Sequence, residues 1–162
     1  MKRQLINYET LLKVTRAISH SKDPEEVVLM AVEAIATSLG AKGCAIFLIN
    51  RKTNELALAA SFGLSRGYLD KGPISAMKSI AAKKEGISSI LSVPLIARGN
   101  VIGALRIYTS EPWEFTLEDV NFVQAMAQIT GMALEMARQY KGLKDSIEIL
   151  KSLKARGQAK TR

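Results

Sequence analysis

The 162-residue sequence has one cysteine, one histidine and one tryptophan. A lone Cys44 excludes an internal disulfide, a cysteine-rich zinc site and any two-cysteine redox cycle. A lone His20 argues against a histidine-built metal centre, so no metal site is expected. No apolar run approaches the ~20 residues needed to cross a bilayer. The opening MKRQLINYETLLKV carries charges inside its apolar stretch, which is not the pattern of a signal peptide. There is no P-loop, no dinucleotide fingerprint and no nucleophile elbow. No catalytic residue is therefore assigned, and a non-enzymatic protein of a reducing cytoplasm is expected.

What the chain does have is apolar content of 48%, enough to bury a proper core, and a net charge of +8. The charge is uneven. From Lys141 onward there are seven basic and two acidic residues, against 16 and 13 in the rest. No aromatics are interleaved with these charges, so a solvated helix face and tail is expected rather than a nucleic-acid site. Residues 1–140 read as one domain with N-terminal helices. Residues 141–162 read as a C-terminal helical extension with a basic tail that frays at ARGQAKTR.

Periodicity divides the chain further. Leu5, Tyr8, Leu12, Val14, Thr15 and Ile18 recur near helical spacing over about 3–20. Asp23 caps a second helix with Pro24 in its first turn, and Gly40 ends it. Its apolar face is Val28, Ala31, Val32, Ile35 and Leu39. The period then becomes two: CAIFLIN and ELALAASF form a hairpin around RKTN. A glycine-rich loop follows, then a short helix from Ser75 to Gly86. A second hairpin, SSILSVPLIARGNVIGALRIYTS, comes next. Thr116 and Asp119 resemble a capping box at the start of a last helix running from about Leu117 past Leu150. Cys44 reads as a small core residue, the methionines as helix packing, and Trp113 as cover at the domain edge.

Loop length sets the register of that second hairpin. A three-residue loop, Arg98-Gly99-Asn100, gives paired residue numbers that sum to 198. One face then holds Leu91, Val93, Leu95, Leu105 and Ile107. The other holds Ile90, Ser92, Pro94, Ala104, Arg106 and Tyr108. A two-residue loop pairs Ser92 with Leu105 and spoils this sorting. Burying a guanidinium without partners is very costly. The mixed face is therefore either solvated or the partly covered floor of a small-molecule site, with Ile90, Ser92, Arg106 and Tyr108 as candidate ligand-binding residues.

The order of these motifs resembles a GAF domain over roughly 5–140. The parts that carry the resemblance are Asp23-Pro24-Glu25, Leu39-Gly40-Ala41, Phe62-Gly63-Leu64 and Gly86-Ile87. Ser89 to Leu95, Val101-Ile102-Gly103, Phe115-Thr116 with Glu118-Asp119, and Ala125 to Leu134 complete the set. The resemblance implies an α/β (α+β) fold. An antiparallel sheet of about five strands would carry long N- and C-terminal helices on one face and a ligand pocket on the other. It also implies a regulatory role in bacterial signal transduction, where such domains sense cyclic nucleotides, tetrapyrroles, haem or amino acids, or only dimerise. In pigment-binding relatives the positions matching Ile90, Ser92, Arg106 and Tyr108 face the chromophore. Here Gly63 to Gly86 is short for the family, which shortens the pocket side. The Asn-Lys-Phe-Asp-Glu set of cyclic-nucleotide binders is missing. Relatives that reduce free methionine sulfoxide use paired cysteines, which a lone Cys44 cannot supply. No particular cofactor is implied.

The last helix carries one more pattern. Met126, Ile129, Ala133, Met136, Tyr140, Leu143, Ile147 and Leu150 step by alternating threes and fours, the heptad seam of a coiled coil. Beyond Ala137 nothing local can bury it. A homodimer is expected through Met136, Tyr140, Leu143, Ile147 and Leu150, with Leu5, Tyr8 and Leu12 of the first helix able to join a four-helix bundle. A signalling output domain or partner protein would receive the response. The alternatives are a purely structural dimerisation module and a basic nucleic-acid adaptor.

Overall fold

Asp23 opens a helix by accepting a hydrogen bond from the Glu25 amide at 3.1 Å. Pro24 fits the first turn, and Glu25 and Glu26 sit at the positive end of the helix dipole. Gly40, with φ of 62°, closes the helix in the left-handed conformation. This is α2, Pro24–Leu39, preceded by α1, Lys2–Ser19. The computed structural model describes residues 2–70 and 83–160, with side chains from Tyr8 onward. The expected contribution of Leu5 and most of the expected Ser75–Gly86 helix lie outside the described residues, though 83–85 are helical.

Four strands form one antiparallel sheet in the order β2-β1-β4-β3. They are β1 Gly43–Ile49, β2 Leu56–Phe62, β3 Ser89–Ala97 and β4 Asn100–Thr109. About five were expected, and four are present among the described residues. A one-turn helix, α3 Arg66–Leu69, follows β2, and α4 Leu117–Lys160 ends the fold. Its start is a reciprocal capping box: the Asp119 amide donates to Thr116 Oγ1 and the Thr116 amide to Asp119 Oδ2, both at 3.1 Å.

The β3–β4 pairing corrects one detail of the expected hairpin. Its loop has two residues, Arg98 and Gly99, with φ of 51° and 76°, the sign pattern of a type I′ turn. Ala97 pairs with Asn100 and Ile96 with Val101. A bulge then absorbs one residue, Ile102, and from Leu95–Gly103 to Ser89–Thr109 the register is the expected one. The tight turn matches the twist of the strands, and the bulge restores the sorting of faces.

Helices α2 and α4 pack on one face of the sheet, and α1 packs on both of them. Ile46, Val93, Leu95, Leu105 and Ile107 meet Val14, Ile18, Val32, Ile35, Met126 and Leu134 in the main core. Burying each such side chain is worth about 1.5–3 kcal/mol. Cys44 lies in this core, fully buried. On α1 the buried stripe is Thr10, Val14 and Ile18, whereas Tyr8 and Leu12 are exposed. The expected apolar face was thus turned too far. Val14 and Ile18 dock, and the dock places Tyr8 outside. On α4 the buried residues include Val123, Met126, Ala127, Leu134 and Ala137. The single expected seam from Met126 to Leu150 therefore splits. Met126 belongs to the core, Ile129 and Ala133 are half-buried, and Met136 and every apolar side chain beyond Ala137 are exposed. The helix continues to Lys160, through 155–160 where fraying was expected. Alanine, arginine, glutamine and lysine there are good helix formers. Among the described residues no helix is long and apolar enough to cross a membrane.

Candidate functional site

Alternation along β1 and β4 builds the sheet face opposite the helices. Cys44 and Ile46 point into the main core, so Ala45 and Phe47 point the other way. On β4, Leu105 and Ile107 go to the helices, which leaves Arg106 and Tyr108 on the far face. Ala45, Phe47, Tyr108, Ile87 of the segment before β3 and Tyr68 of α3 form a second, smaller apolar cluster there.

Arg106 occupies the middle of this face. Ser92 stands opposite it across β3–β4 and Ala45 across β1–β4. Its guanidinium carbon lies 4.9 Å from the centre of the Phe47 ring, a cation–π contact. Gly43 stands opposite Tyr108, and a Cβ there would collide with the Phe62 carbonyl oxygen and the Leu64 side chain. The Tyr68 ring meets Tyr108 edge-on, with centroids 5.9 Å apart and planes at 88°. Arg106 is half-buried, Tyr108 is 1% exposed, and Ile90 on the edge strand is 45% exposed. Exposure on this face thus rises from Tyr108 through Arg106 to Ile90 and Ser92 on β3.

Electrostatics follow from this burial. Burial pushes the Tyr68 hydroxyl up to about 12, with the Tyr108 and Glu85 charges adding and Arg106 opposing. Burial also raises Tyr108, partly offset by the charge of Arg106 and a hydrogen bond from it. Both phenols are neutral near pH 7, so Arg106 supplies the positive charge of this face. At its margin the Ser65 amide and hydroxyl donate to the Glu85 carboxylate. Those hydrogen bonds hold Glu85 below the usual carboxylate range.

The structure thus places Ile90, Ser92, Arg106 and Tyr108 on one face, in two facing pairs. Phe47 and Tyr68 complete the floor and were not assigned to it from the sequence. For Phe47 the signal was available, since period two puts it beside Ala45. Tyr68 sits in a four-residue helix within a glycine-rich loop, where no periodicity exists to place it. Cys44 is on the other face, and burial pushes its thiol up to about 12. Among the described residues no cluster of His, Cys, Asp or Glu is arranged to hold a metal ion. A polar groove of about 470 Å³ lies elsewhere, where α4 leaves the domain, between Lys22, Asp23, Tyr140 and Lys144. Across it Lys22 Nζ lies 4.8 Å from the Tyr140 ring centre.

Comparison with known proteins matches this architecture. A GAF domain family model covers residues 23–136, which takes in α2, the whole sheet and the first part of α4. No curated protein matches the chain in sequence. Among solved structures, it is similar to the GAF domain of a phosphoenolpyruvate-protein phosphotransferase from Coxiella burnetii. That likeness has 18% identity and a TM-score of 0.68, over 85% of this chain and 98% of that one. The corresponding Acinetobacter domain is 20% identical with a TM-score of 0.64, over 86% and 96%. A free methionine-R-sulfoxide reductase from Neisseria meningitidis, in complex with its substrate, is 18% identical with a TM-score of 0.64, over 82% and 90%. With its family pattern running from the cap of α2 into α4, this chain belongs to the GAF domain family, whose members are generally sensory and regulatory domains.

Proposed function

We propose that this chain is a non-catalytic sensory domain. It binds a small-molecule effector on the sheet face opposite the helices, and it acts as a homodimer through its terminal helices. The observation that carries this reading is the position of Arg106. A cation stands in the middle of a sheet face, against Phe47 and beside two neutral phenols. Apolar walls with a few convergent polar groups are the ordinary construction of a small-molecule site. An effector with an anionic group and a flat apolar body fits such a floor: the anion meets Arg106 and the body lies toward Ile90.

Regulation follows from the shared strand. β3 carries part of the effector face on one side and seats α4 on the other. An effector biases α4 by as much as its affinities for two arrangements differ. The response passes along α4 to an output domain or a partner protein. Cys44 supports the non-catalytic reading, since a thiol protonated up to about pH 12 in the main core is a poor nucleophile.

The test is native mass spectrometry of freshly purified protein, sprayed gently and then denatured. Thermal shifts would be measured alongside with haemin, biliverdin, cAMP, cGMP and free amino acids. The expected result is a dimer mass with a carried small molecule, or a thermal shift with a probe, in either case lost in Arg106→Ala. A dimer that carries nothing and responds to no probe favours the purely structural module. Salt-sensitive retention on DNA that disappears when the chain is truncated after Lys141 favours the basic adaptor.

A further inference from the structure

Beside the exit of α4, a cavity of about 470 Å³ lies between the end of β1, the β1–β2 turn and the helix. Ile49, Arg51, Glu135, Arg138 and Gln139 line it. Arg138 follows Ala137, the last buried residue of α4, and is half-buried, as are Ile49 and Glu135. Arg51 reaches the cavity from the turn, whose backbone is fixed by hydrogen bonds around Asn50. The Asn50 amide donates to the Glu55 carbonyl at 2.8 Å, and the Asn54 amide to the Asn50 carbonyl at 2.7 Å. The Lys52 amide donates to Asn50 Oδ1 at 2.9 Å.

Two guanidinium groups therefore border one space, and neither is neutralised there. Among the described residues no carboxylate lies within ion-pair distance of Arg51 or Arg138. Two cations at one cavity repel each other, and an anion between them turns repulsion into attraction. A guanidinium fork donates two parallel hydrogen bonds to one oxyanion. A carboxylate has two oxygens, and a single fork takes both. A phosphate monoester offers three terminal oxygens and nearly two charges near pH 7, enough for both forks and the Gln139 amide. Glu135, three residues before Arg138, can accept from a hydroxyl of the same molecule. The chain's net charge of +8 draws anions to it.

We propose that this cavity binds the phosphoryl group of a small phosphorylated metabolite, held between Arg51 and Arg138. Arg106 is not among the residues that line it, so the site is separate from the effector face and does not depend on that reading. A bound phosphoryl group ties the β1–β2 turn to the first turn of α4 beyond the core and stiffens the exit of the helix.

Isothermal titration of the full chain with inorganic phosphate, glycerol 3-phosphate and glucose 6-phosphate at constant ionic strength tests it. Acetate and succinate are the carboxylate controls. The expected result is saturable binding of phosphate and of a monoester, weakened about tenfold or more in Arg51→Gln and in Arg138→Gln, the size of one lost charge-assisted hydrogen bond. Binding in Arg106→Ala should be unchanged. Circular dichroism checks that each variant folds, and the exposed Arg51 carries the test if the Arg138 variant does not. No saturable binding of any phosphate probe overturns the inference, and so does affinity kept in either folded arginine variant. Loss in Arg106→Ala alone places the anion on the effector face and overturns it too. Equal affinity for the carboxylates overturns the phosphoryl class, and binding of inorganic phosphate without either monoester overturns the metabolite.

Discussion

Gly131 of α4 lies directly against the backbone of Ile96 in β3, so closely that a Cβ at position 131 would collide with the Ile96 carbonyl oxygen. About two turns earlier, Gln124 Nε2 donates to the Pro94 carbonyl at 3.1 Å. The helix is therefore seated on the strand whose other face carries Ile90 and Ser92. At Gly131 the two backbones meet without an intervening side chain.

This close approach predicts opposite effects for two glycine-to-alanine changes in one helix. Alanine favours a helix interior over glycine by about 1 kcal/mol. A methyl group at position 142 would meet nothing within 4 Å, so Gly142→Ala should stabilise by about that amount. Gly131→Ala should instead destabilise by about 1–3 kcal/mol, because the overpacked backbone must shift. Urea unfolding of the two variants, monitored by circular dichroism, checks the difference in sign.

Arg106→Ala removes the contact with Phe47 and should cost about 0.5–1 kcal/mol, the size of a partly exposed cation–π pair. The fold should survive, since the main core is on the other face. Loss of any bound small molecule should be complete in Arg106→Ala and partial in Arg106→Lys, which keeps the charge but not the flat guanidinium. Unfolding midpoints read the first effect and native mass spectrometry the second.

Alkaline pH should weaken the fold in two steps. Burial pushes the Cys44 thiol from an ordinary 9.0 up to about 12, and the Tyr68 hydroxyl from 10.0 up to about 12. The folded state holds both protons more tightly than the unfolded chain does. Their stabilisation is complete below about pH 9 and declines as pH rises toward 12. Urea midpoints measured between pH 7 and 11 should fall, beginning near pH 9. Cys44→Ala should delay the onset toward pH 10, where Tyr68 takes over. The native thiol should also resist aromatic disulfide reagents at pH 8 and react fully in denaturant.

Ile147→Asp should convert the protein to a monomer, because it would bury a carboxylate within an apolar helix seam. Light scattering reads the mass, and unchanged helix content by circular dichroism in the core region would show that the domain still folds. A dimeric mass for this variant would place the interface elsewhere.

Much of this architecture is legible from sequence because local chemistry and tertiary packing agree. Asp23-Pro24, Gly40 and the Thr116–Asp119 pair mark helix ends through hydrogen bonds within a few residues, and all are in place. The pairing of Ser92 with Arg106 is readable because only one register sorts oil from polar groups. The turn at Arg98-Gly99 is misread because a bulge and a shorter loop compensate each other, leaving the far register unchanged. The buried face of α1 is misread because Tyr8 and Leu12 are apolar enough to dock, and only the partner elements decide that Thr10 does so instead. Tyr68 was beyond reach, since its place on the floor depends on how a glycine-rich loop folds back over the sheet.

The projecting part of α4 has a mechanical consequence. From Arg138 to Lys160 the helix continues past the last core contact at Ala137 for about 34 Å. A tilt of about 5° at its base, small enough to leave the core intact, carries the far end through about 3 Å on that rise per residue. Hinged at that last core contact, the rod would act as a lever arm. Its gain is set by length, so each added helical turn amplifies the same motion further.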